Sequence, residues 1–86
     1  MPNYVYLITV ADEGGGLFAA ICPDWVPPTT NHFAQLDNGA KGRVAHVIYI
    51  DEHSEEYRLI AAIAPIFEVT KLWHLDWQKE EPHADP

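Results

Sequence analysis

The sequence predicts a small α+β domain: an antiparallel sheet of about four strands with one short helix packed on it. Three observations lead there. Residues 3–10 and 43–50 are β-branched and aromatic runs, and the first alternates cleanly with period two. Residues 66–77 alternate again, as an antiparallel strand with one wet face would. Between them, residues 51–56 (DEHSEE) carry the signals of a helix start. An all-β alternative makes 57–64 a fifth strand.

In chain order, 3–10 places Tyr4, Tyr6, Ile8 and Val10 on one face and Val5, Leu7 and Thr9 on the other. ADEGGG at 11–16 then reads as a turn, because consecutive glycines supply positive φ angles. Residues 17–22 form the return strand. The stretch 23–42 is irregular, with Pro23, Pro27 and Pro28 and the turn pair Asn38 and Gly39. A structureless connection of that length is uncommon. A helical turn is expected over 30–36, capped by Thr30 or Asn31, with Phe33 and Leu36 facing the core. Trp25 and Phe33 are expected to pin the loop.

The strand 43–50 (RVAHVIYI) points Val44, His46, Ile48 and Ile50 one way and Ala45, Val47 and Tyr49 the other. Both faces are apolar, which suits a central strand covered on two sides. Ser54 is the expected N-cap of a helix over 54–64, with Glu55 and Glu56 in its first turn and Pro65 as its stop. The final strand, 66–76, sets Phe67, Val69, Trp73, Leu75 and Trp77 on one face and Glu68, Thr70, His74 and Asp76 on the other, with Leu72. The domain spans 1–77, and 78–86 is a polar tail.

Bulk properties narrow the function classes. Five Lys/Arg stand against 13 Asp/Glu, a formal net charge of −8. That excess argues against nucleic acid or an anionic membrane as direct partner, since both require a cationic footprint. It would steer the protein toward a basic surface. Cys22 is the single cysteine, so no internal disulfide is expected and a reducing cytoplasm fits best. The opening residues lack the basic region and cleavage site of a signal peptide. The longest apolar run, 59–67, contains Pro65 and is about half a membrane span.

Three sets of residues carry chemistry. DEHSEE gathers Asp51, Glu52, Glu55 and Glu56, which can recognise Arg or Lys on a partner protein. It lacks the alternation and glycine of an EF-hand loop. Trp77, near the end of the chain, is the aromatic most suited to packing on a partner or a second copy, and a homodimer is expected. Tyr6, Trp25, His46, Tyr49 and Trp73 form the alternative, an aromatic and histidine-lined pocket for a small molecule. His74 and Asp76, two apart on one strand face, are weak metal candidates, short of a complete ligand set.

No other chemistry stands out. Cys22 has no flanking cation or CxxC spacing to activate its thiol. The triple glycine lacks a phosphate-loop Lys and follows Asp12 and Glu13. The opening Tyr-Val-Tyr-Leu-Ile is similar over one strand to GIY-YIG nucleases, but neither the second tripeptide nor the Arg and Glu pattern follows. No family is assigned, no cofactor is expected, and the balance leans away from an enzyme. The favoured reading is a small acidic protein-interaction module, of adaptor or inhibitor type, that docks on a basic partner.

Overall fold

A computed structural model describes residues 3–22 and 27–74. Its five strands are β1 (Tyr4–Asp12), β2 (Leu17–Cys22), β3 (His32–Leu36), β4 (Lys41–Asp51) and β5 (Ile66–His74), with one helix, α1 (Glu55–Ile63). They close into a barrel in the order β1-β2-β5-β3-β4. The short helix and the sheet are as the sequence predicts, but the sheet is a closed five-stranded one.

Two hairpins supply four of the strands. At the β1–β2 turn, Asp12 Oδ1 accepts from the Gly16 amide at 2.7 Å and the Asp12 carbonyl accepts from Gly15 at 3.1 Å. Gly15 takes φ +91°, which only glycine adopts without strain. The acid in front of the glycines therefore holds the turn together. In the β3–β4 turn, the Ala40 amide donates to Asn38 Oδ1 at 3.0 Å and Gly39 takes φ +91°. Closure comes from non-local pairs: β1 with β4 antiparallel, β3 with β5 antiparallel, and β2 with β5 parallel.

Several expectations are corrected. Residues 32–36 are a strand where a helical turn was expected, because they are paired on both sides, to β4 and to β5. That strand, and not 57–64, is the fifth. The sheet is not purely antiparallel, since Ala19, Ala20 and Ile21 pair in parallel with Ile66, Phe67 and Glu68. Helix α1 does begin at its expected cap: Ser54 Oγ accepts from the Tyr57 amide at 3.2 Å.

Two irregularities set which side chains face inward. Thr9 pairs with His46 and Val10 with Val44, so Ala45 is an extra residue. Gln35 pairs with Lys71 and Leu36 with Val69, so Thr70 is another, its hydroxyl bonded to the Gln35 carbonyl at 3.1 Å. Beyond each extra residue the alternation changes phase. The core is thus Ile8 and Val10, Ala20 and Cys22, Ala34 and Leu36, Val44 and Val69, with Val47 and Leu72 packed on it after the phase change. Strand β4 is not covered along its length: Ile48 and Tyr49 are exposed.

Gly42 lies where β4 has β1 on one side and β3 on the other, paired with Asp12 and Ala34. A Cβ there would sit 2.1 Å from the Ala11 carbonyl oxygen. Gly42→Ala is expected to destabilise by about 3 kcal/mol in denaturant titration, whereas Gly14→Ala, whose Cβ would meet only Asp12 Oδ1 at an ordinary 3.7 Å, should cost a small fraction of that.

Candidate functional site

The acidic run follows β4 and ties its end to the start of β1. Asp51 ends β4, and its Oδ1 accepts from the backbone amides of Asn3 and His53, each at 3.0 Å. The Glu52 carboxylate takes the Asn3 side-chain amide, and the Glu52 amide donates to the Asn3 carbonyl at 2.8 Å. Two of the four carboxylates thereby stitch the start of β1 to the end of β4. The Asn3 amide first, and the His53 amide second, hold the Asp51 carboxyl below its ordinary value of 3.8. Glu55 and Glu56 project from the first turn of α1, exposed, where the helix dipole favours them.

Beside this turn lies an open groove of about 520 Å³, lined by Tyr4, Ile48, Tyr49, Asp51, Glu56 and Ile60 among others. Its aromatic residues, Tyr4 and Tyr49, belong to a ladder that continues to Tyr6. Tyr6 and Tyr49 are cross-strand partners with ring centroids 4.8 Å apart, and Tyr4 stacks on Tyr49 at 5.1 Å. Tyr49 is 61 % exposed and Tyr4 50 %. The helix supplies the other wall through Ile60. Leu59 and Ile63 of the same helix are 60 % and 84 % exposed. Tyr57 is half-buried, and burial, with the Glu52 carboxylate as a second cause, pushes its hydroxyl pKa up.

The proposed pocket set is only partly assembled. Tyr6 and Tyr49 meet. His46 is exposed opposite Thr9, on the other face of β4, because the extra residue Ala45 precedes it. Trp73 is half-buried on the outside of the barrel, 5.9 Å from the Phe33 ring, with the Lys71 ammonium also 5.9 Å from its own ring. Both were expected beside Tyr6. Trp25, Asp76 and Trp77 lie outside the described residues.

His74, expected on a wet face beside Asp76, instead pairs with His32 across β3 and β5, ring centroids 4.3 Å apart. Among the described residues no group of three His, Cys, Asp or Glu side chains gathers in metal-ligating geometry. Cys22 is buried in the core. No described helix is long and apolar enough to cross a membrane.

Sequence reasoning missed Tyr4, Ile48 and Ile60 as site residues, and His32. Tyr4 shares the predicted face of Tyr6, so the alternation contained it; Ile60 and His32 needed the three-dimensional arrangement. Compared with protein-family models, with curated proteins and with solved structures, the chain finds no match.

The Asp51 contacts carry a signed pH effect. A carboxyl with a lowered folded-state pKa adds stability that is fully present above 3.8 and is lost as pH falls through the lower folded value. Asp51→Asn should therefore be less stable than the parent at pH 7, and the gap should close in thermal melts taken below pH 3.8.

Proposed function

We propose that this chain is a small protein-interaction domain, and that its docking surface is the groove between β4 and α1. Its occupant is a segment of a partner protein that presents apolar side chains flanked by Lys or Arg. One observation carries the reading: Tyr4 and Tyr49 from one face of the β1–β4 ladder, Ile48 from the other and Ile60 of α1 line one open groove together with Asp51 and Glu56, in a chain of net charge −8. Apolar anchors set into such a groove give affinity. The carboxylates select cationic flanks and raise the encounter rate through the long-range field.

The division of labour among the acids follows from their contacts. Asp51 and Glu52 are engaged with Asn3, so Glu55 and Glu56 are the ones available to pair with a partner's guanidinium or ammonium groups. Arg would be favoured over Lys opposite them, since a guanidinium meets a carboxylate in bidentate geometry.

Peptide-display selection on the full chain tests this, followed by anisotropy titrations of the selected peptides. Enrichment of basic and apolar peptides is expected, with binding that weakens at least about tenfold between 50 and 300 mM salt. Tyr49→Ala should weaken it by about tenfold or more, and the Glu55→Gln, Glu56→Gln pair should remove most of the salt dependence. Circular dichroism of the Gln pair checks that α1 is retained. Selection of neutral or acidic peptides, salt-insensitive binding, or a dimer that Tyr49→Ala converts to monomer would each overturn the reading.

A further inference from the structure

The pair His32 and His74 lies on the barrel's other seam, and nothing in the docking surface uses it. His32 is 3 % exposed, the one buried polar or charged side chain among the described residues. Its Nδ1 lies 3.0 Å from the backbone nitrogen of Thr29 and 3.0 Å from the Thr29 hydroxyl. A backbone amide can only donate, so Nδ1 must present a lone pair and the neutral ring carries its hydrogen on Nε2. That tautomer withholds Nε2 from a metal ion, which removes a two-imidazole site as the explanation.

The surrounding loop depends on the same contacts. The His32 amide returns to the Thr29 carbonyl at 3.1 Å, and the Asn31 amide donates to the Thr29 hydroxyl at 3.1 Å. Pro28, just before, is buried. Thr29 is thus the knot of the segment that leads into β3, and the imidazole is one of its ties. From β5 the group facing His32 is His74, at 4.3 Å between centroids. From β4, Arg43 reaches this end, its Nε 3.5 Å from the Thr30 carbonyl. The rest of β3, Phe33 to Leu36, carries no titratable group.

We infer that His32 is an acid-labile fastening: its protonation removes the acceptor for the Thr29 amide, sets a positive charge against the His74 ring, and releases residues 27–31 from β3. The sign follows from burial, the larger cause, and then from the His74 charge; together they outweigh an opposing contribution from the Thr29 backbone and lower the proton affinity of His32 from its ordinary 6.5. The folded ring binds its proton less readily than the unfolded one. Its contribution to stability is therefore fully present above pH 6.5 and is lost as pH falls through the lower folded-state value. That window lies above the one set by Asp51, whose ordinary value is 3.8.

The test is nitrogen-15 NMR of the imidazoles together with amide hydrogen exchange, on the full chain from pH 7.5 to 4.5. Neutral His32 should show the Nε2–H tautomer and titrate below 6.5. Thr29 exchange, corrected for its intrinsic pH dependence, should speed up about tenfold or more along the same curve. His74→Gln should raise the His32 midpoint, and His32→Gln should abolish the pH dependence at Thr29. An Nδ1–H tautomer, a midpoint at or above 6.5, or Thr29 protection that does not change with pH in the parent chain would overturn the inference.

Discussion

The barrel depends on one close passage of backbones. Strand β4 runs alongside β1 from Gly42 to Asp51, but only its first residues run alongside β3. At that shared stretch Gly42 pairs with Asp12 and Ala34, and the Ala11 carbonyl occupies the space a side chain would need. Glycine brings β4 near enough to belong to both hairpins. The long β1–β4 ladder and the two pairings of β5 carry the closure on from there, joining hairpins that would each be marginal alone.

The two extra strand residues then decide where chemistry can occur. Ala45 lets the inward set of β4 pass from Val44 to Val47, which carries Tyr49 to the face of Tyr4 and Tyr6. Ile48 and Ile50 go to the face that holds His46. Thr70 does the same on β5, so Leu72 turns inward, His74 meets His32, and Trp73 moves outside to Phe33. A strand with unbroken period two would have separated the members of each pair. The proposed docking groove and the close histidine pair both follow from a one-residue change of phase.

This also accounts for what could be read from the sequence. The first hairpin and the helix were legible because their signals are local: alternation in 4–10, three glycines after Asp12, and Ser54 ahead of Glu55 and Glu56. The segments of β4 and β5 were legible too, but their phase was not, since nothing in VAHV or VTKL marks the extra residue. HFAQL has good helix formers in Ala34, Gln35 and Leu36, yet becomes β3 because neighbours on both sides take up its backbone groups. The parallel pairing of β2 with β5 joins segments more than forty residues apart in the chain, and no short-range pattern encodes it.

Helix α1 is the wall of the proposed docking surface that would depend most on a partner. None of its residues is buried, and no basic residue occupies its last turn. Nine residues of helix are marginal in water without tertiary support. Here that support is the Ser54 cap, the two glutamates at the positive end of the dipole, and partial burial of Tyr57 and Ile60. A ligand seated on Tyr49 and Ile60 would add the apolar contact that the helix lacks, and cations opposite Glu55 and Glu56 would relieve their mutual repulsion. Binding and helix order are then linked, because whatever binds the ordered groove stabilises the wall that forms it. Part of any binding free energy would go into ordering α1, so the affinity of the proposed surface would be lower than its apolar area alone would give. An exposed, weakly braced helix beside a rigid aromatic ladder suits a surface that is completed by its partner.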